Sequence, residues 1–232
     1  MSTVAALVKT LARAFGEPPP AADDPYAIVL HENAGYLIDD DRRDALYARI
    51  VSLGRHPVAL LSADHEALLA IARDGGMRPE ERVARWRAIA EITLDEADGD
   101  LLAALRGLPL ARARKLLARY PLIGVPGIDR ILLFSRIAAI PSVDSNGLRV
   151  LERYGGVAAG QPYARAYRDA CVVLCDAFGG DGDALRRAYL VLRRHGKTVC
   201  RGAVPYCMRC PVRTSCPSST AAGAARAGDV ES

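Results

Sequence analysis

The chain has 232 residues, of which 50% are hydrophobic and 25% charged, with a formal net charge of +4 at pH 7. This is the composition of an ordinary globular protein, and no apolar run approaches the roughly 18 residues that cross a membrane, so no membrane association is expected. The six cysteines come without a secretory signal, which favours a reducing, cytoplasmic environment.

The charge is unevenly distributed along the sequence. Residues 112–213 contain 18 Lys and Arg against 7 Asp and Glu, whereas residues 1–111 contain 12 against 18. A basic half of this kind predicts a polyanionic partner, with nucleic acid the first candidate. A solvated basic surface without a partner is the alternative.

The first half of the chain predicts helices separated by proline and glycine. Residues 1–16 form an amphipathic pattern that ends at Gly16, and the proline-rich residues after it separate this helix from the next. Because no segment alternates with period two, the protein is predicted to be all-α. Trp86 is expected in the core rather than as a base-stacking surface. The predicted helices that follow are 26–37, 39–53, 57–74, 79–97 and 101–106.

Residues 108–134 predict two helices joined by a short turn that contains Gly124. Such a hairpin presents the backbone amides of Gly124, Val125 and Gly127 at a helix N-terminus, where a phosphate can bind without reading sequence. A plain turn between two packed helices is the alternative.

An acidic residue, Asp144, precedes a predicted helix over 145–154. Taken alone, an Asp before a helix indicates an N-cap. Residues 162–178 predict a further helix, on which Cys171 and Cys175 are expected to be buried core residues. A basic helix over 184–195 then leads into a cysteine-rich segment, and residues 218–232 are predicted to be disordered.

Four cysteines, Cys200, Cys207, Cys210 and Cys216, follow the pattern C-x6-C-x2-C-x5-C. Four thiolates can hold either a zinc ion or an iron-sulfur cluster. Zinc sites usually draw their ligands as two short pairs, and only Cys207 and Cys210 form such a pair here, which favours the cluster. Cysteines packed in a core do not fit basic, proline-punctuated loops, and disulfides do not fit a chain without a secretory signal.

The hairpin, the Asp144 loop and the cysteine segment, in this order, resemble the endonuclease III family of DNA glycosylases. His195-Gly196-Lys197 matches the segment that precedes the family's C-terminal [4Fe-4S] loop, and the resemblance extends over residues 1 to about 217. It implies an all-α, bilobal helix-hairpin-helix DNA glycosylase fold. A helical barrel domain would span 22–140, with the hairpin at about 112–134, and an iron-sulfur cluster domain would combine 1–21 with 141–217.

The resemblance also implies roles for individual residues. In V-D-S-N-G-L-R-V, Asp144 takes the place of the family's catalytic aspartate, although Asn146 and Gly147 depart from the pattern. Glu32 stands where adenine-excising members have a catalytic glutamate. His31, Asn33 and Tyr36 would line the base pocket, and Leu37 would be a wedge that enters the DNA. A solvent-facing turn is the alternative for residues 31–33.

Two departures concern the hairpin: Leu122 replaces the family's first glycine, and Pro126 stands where bifunctional members have the lysine that forms a Schiff base. The expected enzyme is therefore monofunctional, with weak or absent lyase activity.

Arg149, Lys197 and Arg201 are predicted DNA contacts, and the cysteines would ligate a [4Fe-4S] cluster. The expected partner is duplex DNA with a damaged or mismatched base, bound by a monomer in the cytoplasm, at the nucleoid in a bacterium. The alternatives are a non-catalytic DNA-lesion-binding protein and a redox-responsive DNA-binding regulator.

Overall fold

The computed structural model describes residues 3–16, 18–19 and 21–219. Within these residues the regular secondary structure is helical and contains no strand, so the all-α prediction is confirmed. The predicted disorder of 218–232 falls almost entirely outside the described residues. The helices are α1 (Thr3–Phe15), α2 (Pro25–Glu32), α3 (Asp40–Ser52), α4 (Val58–Ser62), α5 (His65–Arg73), α6 (Pro79–Ala97), α7 (Leu101–Gly107), α8 (Leu110–Leu117), α9 (Val125–Phe134), α10 (Ser145–Tyr154), α11 (Tyr163–Phe178) and α12 (Gly182–Thr198), with 3-10 turns at Cys207–Arg209 and Arg213–Ser215.

The chain divides into two compact units. Unit 1 comprises Met1–Pro20 together with Ala139–Ser232, and unit 2 comprises Ala21–Ala138. Unit 1 is therefore discontinuous in sequence. In the described part of the chain, no helix is long and apolar enough to cross a membrane.

Unit 2 contains helices α2 to α9 around an apolar core. Trp86 on α6 is fully buried, and its indole Nε1 donates to the carbonyl oxygen of Asn33 at 2.9 Å, so its predicted core position is confirmed. Arg82, on the same helix, is also fully buried. Its guanidinium donates to the carbonyl oxygens of Ala72 at 2.7 Å and Met77 at 2.9 Å, which ties α6 to the end of α5 and the loop that follows.

Unit 1 is built from α1, α10, α11 and α12. Helix α1 packs against α11 and α12, and its end is held by Arg194, which donates to the Phe15 carbonyl at 2.9 Å. Helices α10 and α12 pack closely along each other. A Cβ at Gly196 would lie 2.4 Å from the carbonyl oxygen of Asn146, and one at Gly147 would lie 2.6 Å from the Val143 side chain. The Cβ at Gly147 would also lie 3.3 Å from the Cβ of Leu192 on α12. Glycine is therefore required at position 196 for α10 and α12 to approach, and Gly147 gives this approach further room.

Three details differ from the sequence predictions. The helix predicted over 57–74 is two helices, because Ala63 is extended and the Asp64 side chain caps α5 by accepting from the Ala67 amide. The helix predicted over 26–37 ends at Glu32, so Leu37 lies in a loop with φ of 54°. The expectation that Cys175 is buried is wrong, because this residue is exposed, and Cys171 is half-buried.

Candidate functional site

Asp144 lies at the start of α10, where its side chain caps the helix. Its Oδ1 accepts from the Gly147 amide at 2.8 Å, and its Oδ2 accepts from the Asn146 side chain at 3.0 Å. A third donor was not apparent from the sequence: the Nε of Arg193, on α12, lies 3.3 Å from Oδ2. The carboxylate is thus fixed in orientation by three donors from two helices.

A chain of hydrogen bonds connects Asp144 with the cysteine loop, residues 200–216. The Asn146 Oδ1 accepts from Arg149 Nη2 at 3.0 Å. The same guanidinium donates to the carbonyl oxygen of Gly196 at 2.8 Å and, through Nε, to that of Cys200 at 3.1 Å. We name Asp144, Asn146 and Arg149 the Asp144 network. The predicted DNA contact of Arg149 stays a prediction, and the structure gives this side chain an internal role.

The side chains of Cys200, Cys207, Cys210 and Cys216 line one cavity of about 180 Å³. Apolar groups supply much of the remaining wall, including Leu7, Val150, Val199, Pro205 and Val212. Among the described residues, no three His, Cys, Asp or Glu side chains are close enough together to hold a single metal ion. Four cysteine side chains around a largely apolar cavity suit a multi-iron cluster better than one tetrahedral zinc.

Two side chains outside the cysteine loop support it. The Arg153 guanidinium donates to the carbonyl oxygens of Arg201 at 2.6 Å and Gly202 at 2.5 Å, and one nitrogen lies 3.5 Å from the Cys200 Sγ. His195 is fully buried against the loop, with Nε2 3.7 Å from the Cys210 Sγ. The sequence did not signal the role of Arg153, since a basic residue on a helix does not reveal its partner, and it marked His195 only as part of the segment that resembles the family.

Burial changes the proton affinities of groups around the cysteine loop. It lowers the pKa of His195 to about 4, so this side chain is neutral at physiological pH. Burial also raises the pKa of the Cys210 thiol; a hydrogen bond from the Val212 backbone opposes this rise, and the other three loop cysteines add to it. Packing four thiolates together is therefore unfavourable unless a cation compensates their charge.

Of the other two predicted DNA contacts, Lys197 is half-buried and Arg201 is exposed. The Arg201 guanidinium lies over the Tyr206 ring, 5.6 Å from its centroid, and donates to the Tyr206 hydroxyl at 3.0 Å. Arg201 is thus held at the outer surface of the cysteine loop.

The predicted hairpin consists of α8, a turn and α9. Arg114 and Asp129 form an ion pair of 2.5 Å that joins the two helices. No side chain caps α9, whose first amides have no acceptor within the helix, and Gly124 and Val125 are exposed. Leu122 has a φ of 60°, so the backbone keeps the left-handed conformation suited to glycine although a leucine is present.

The residues predicted for the base pocket have defined partners at the end of α2. Glu32 forms an ion pair with Arg130 on α9, and the His31 Nε2 lies 2.6 Å from Asp44. Asn33 is buried and donates to the Pro121 carbonyl of the hairpin at 3.0 Å, while its own Oδ1 has no hydrogen-bond partner among the described residues. The pocket role of these residues stays a prediction.

An exposed apolar surface at the hairpin consists of Tyr36, Met77 and Leu122, together with Leu37, which follows Tyr36 in the chain. Leu37 is 82% exposed and Leu122 is 67% exposed. Tyr36, Met77 and Leu122 line a surface recess of about 390 Å³ together with Arg78, Glu81 and Arg85. Tyr36 lines this recess. Glu32 does not line it, and its carboxylate forms an ion pair with Arg130. Met77 carried no signal in the sequence, because an isolated methionine in a loop fits no motif.

No family model and no curated protein sequence matches the chain. Similar solved structures include a non-covalent endonuclease III–DNA complex, with a TM-score of 0.76 and 15% identity over 97% of this chain and 100% of that chain. A trapped endonuclease III–DNA covalent intermediate has a TM-score of 0.74 and 15% identity, over 96% and 100%.

A thermostable thymine-DNA glycosylase has a TM-score of 0.74 and 17% identity, over 94% of this chain and 95% of that chain. At such low identity the likeness concerns the fold. The chain therefore has the all-α helix-hairpin-helix fold of the endonuclease III type.

Proposed function

We propose that this protein is a DNA repair glycosylase that extrudes a damaged or mismatched base from duplex DNA and hydrolyses its N-glycosidic bond. The observation that carries the proposal is Asp144, an oriented carboxylate at the start of α10 in a chain whose fold matches DNA glycosylases over 94–97% of its length. The basic second half of the sequence supports a DNA partner.

Asp144 is the proposed catalytic residue. Breaking an N-glycosidic bond leaves positive charge on the sugar, and a fixed carboxylate stabilises that charge without having to reorganise. The same carboxylate can instead orient a water molecule for attack at C1′. The Gly147 amide and the Asn146 side chain hold it in position for either role.

Glu32 is the proposed proton donor to the departing base, a role that suits a purine. Its ion pair with Arg130 favours the ionised carboxylate, so proton donation requires this pair to open when DNA binds. In this proposal His31, Asn33 and Tyr36 surround the extruded base.

The hairpin supplies a sequence-independent contact with DNA. The uncapped amides at the start of α9 suit a phosphate oxygen, and the neighbouring apolar Leu122 and Leu37 suit contact with unstacked bases. Pro126 offers no amine for a Schiff base, so the product is an intact abasic site.

Cys200, Cys207, Cys210 and Cys216 would hold the proposed [4Fe-4S] cluster. When bound, such a cluster supplies four iron–thiolate cross-links and one-electron redox chemistry. Because all four ligands come from the protein, no position remains open to substrate, and the cluster's role is to organise the loop that carries Arg201. A brown protein with broad visible absorption supports it, and a colourless anaerobic preparation with stoichiometric zinc contradicts it.

The decisive experiment is a panel of labelled duplexes, each with one defined lesion or mismatch, incubated with the protein and analysed with and without later alkali. We expect base release from at least one duplex, with strand breaks only after alkali. Strand breaks at full yield before alkali would contradict the monofunctional assignment.

A lesion-binding protein without catalytic activity is the second candidate. The observation that favours it is Arg193, whose positive charge beside Asp144 offsets the charge that a glycosylase needs. Tight binding to several lesions with no base release from any would support this function over the first.

A further inference from the structure

Arg193 gives the proposed catalytic carboxylate a cationic neighbour. Its Nε lies 3.3 Å from Asp144 Oδ2, with side chains 32% and 20% exposed, respectively. Tyr163, which is half exposed, lies close enough for Asp144 to add to the rise that burial produces in its phenol pKa. The pair therefore lies at a surface open to solvent rather than in the core.

The pair poses an electrostatic conflict for a glycosylase. A carboxylate stabilises an adjacent sugar cation through its negative charge, and a guanidinium within ion-pair distance offsets that charge. Asp144 already has two other donors, the Gly147 amide and the Asn146 side chain, which orient it without adding a full charge. Orientation therefore does not require Arg193.

A DNA phosphate resolves this conflict. A guanidinium matches phosphate geometry with two parallel hydrogen bonds, and a partly exposed arginine can exchange one anion for another by rotating its side chain. The nucleotide that reacts at Asp144 brings its own flanking phosphates to this surface. These anions compete with Asp144 for Arg193 when DNA binds.

We propose that Arg193 pairs with Asp144 in the free protein and moves to a phosphate next to the extruded nucleotide when DNA binds. This inference rests on the glycosylase function proposed above. The exchange removes the compensating positive charge from Asp144 only when a nucleotide occupies the site. Arg193 therefore couples DNA binding to the ability of Asp144 to stabilise the sugar cation.

The experiment measures binding of a fluorescent duplex with one tetrahydrofuran abasic-site analogue, at several salt concentrations. Arg193→Gln should weaken binding about tenfold and lower the slope of log K against log[salt] by about one. Arg187→Gln is the matched control, with the same charge change on the same helix but at a position facing α1. Arg193→Lys should keep the salt slope and recover part of the affinity.

Asp144→Asn separates the exchange from a merely structural ion pair. Removing the carboxylate removes an anion that competes with phosphate for Arg193, so Asp144→Asn should bind the duplex more tightly, and this gain should disappear in the Arg193→Gln background. A gain that persists there reflects only the general loss of a negative charge and overturns the proposal. An unchanged salt slope in Arg193→Gln, with thermal unfolding like that of the wild type, also overturns it.

Failure of this inference is distinguishable from failure of the proposed function. Base release by the wild type with a salt slope insensitive to Arg193 contradicts only the exchange. An Arg193-dependent slope in a protein that releases no base from the lesion panel contradicts only the glycosylase.

Discussion

The Asp144 network and the exposed apolar surface differ in how their side chains are used. In the network, each polar group is fixed by another: Asn146 contacts Asp144, and Arg149 contacts Asn146, Gly196 and Cys200. In the apolar surface, Leu37 and Leu122 project into solvent from backbones with positive φ. Under the proposed function, the bond-breaking group is therefore held by several hydrogen bonds, whereas the side chains proposed to contact DNA are exposed to solvent.

The largest expected effect comes from the cysteine loop, which anchors one end of the network. Cys207→Ser should abolish visible absorption and lower the melting temperature by more than about 10 °C, because cluster binding contributes to folding. Cys175→Ser, at an exposed cysteine on α11, is the control and should change neither quantity. A Cys207→Ser protein with wild-type colour and melting temperature contradicts the ligand assignment.

The next effect concerns activity alone. Asp144→Asn should reduce single-turnover base release by about 10²- to 10³-fold, the usual loss when one transition-state contact is removed. The melting temperature should change by less than about 4 °C, because asparagine caps a helix as well as aspartate does. Full excision by this variant would remove Asp144 from the chemistry.

Arg149 tests whether the network is structural. Arg149→Ala removes hydrogen bonds to two carbonyl oxygens and one side chain, so it should destabilise the protein by about 2–3 kcal/mol. Arg165→Ala, at an exposed arginine of α11, should cost less than about 0.5 kcal/mol. Urea unfolding measures both. If Arg149→Ala reduces DNA affinity without loss of stability, Arg149 is instead a direct DNA contact.

Substitutions of Leu122 test the exposed apolar surface, the second of the two regions compared above. Its left-handed backbone costs about 1–2 kcal/mol, and glycine would remove that strain at an entropic cost of roughly 0.5–1 kcal/mol. Leu122→Gly should therefore be equal to or slightly above the wild type in stability, whereas Leu122→Ala keeps the strain. Both variants should bind lesion duplex more weakly, because both lack the apolar side chain. Unchanged binding in both would exclude Leu122 from the interface.

The smallest expected effect is a pH dependence of the protein's stability, caused by His31 at the end of α2. Burial lowers the pKa of His31, although the hydrogen bond to Asp44 opposes this. In the unfolded chain His31 titrates near its ordinary value of about 6.5, so below that pH the unfolded state binds more protons and stability falls. Above about pH 6.5, His31 is neutral in both states and its contribution to stability is fully present. His31→Gln should lose less stability between pH 7.5 and 5.5 than the wild type or the exposed-site variant His56→Gln. Equal losses in all three would refute the assignment.

The helix boundaries show what local sequence determines. Pro79 followed by two acidic residues marked the start of α6, and Asp144 marked that of α10, because both signals act within one helical turn. The break at Asp64 was missed because its cap interrupts a continuous apolar pattern. Cys175 was predicted to be in the core because it lies beside the apolar positions of α11. Helical spacing does not show whether a residue at the edge of an apolar face is buried.

The candidate site was predictable as a set of residues and not as a set of contacts. Spacing brought the four cysteines together, since their loop is short. By contrast, the pairing of Arg193 with Asp144 joins residues 49 positions apart. Arginine is so common on this basic helix that its residue type does not reveal its partner. Long-range polar contacts of this kind depend on how α10 and α12 pack, which Gly147 and Gly196 permit.

The discontinuity of unit 1 sets an order for synthesis on the ribosome. Helix α1 emerges before α2 to α12, but the surface that receives it belongs to α11 and α12. Unit 2 is complete once residue 138 has emerged, and it can fold while α1 still lacks its partners. Until then the buried face of α1, with Leu7 and Leu11, remains unprotected. The apolar face of α1 therefore has to avoid premature association until residue 198, the end of α12, has emerged.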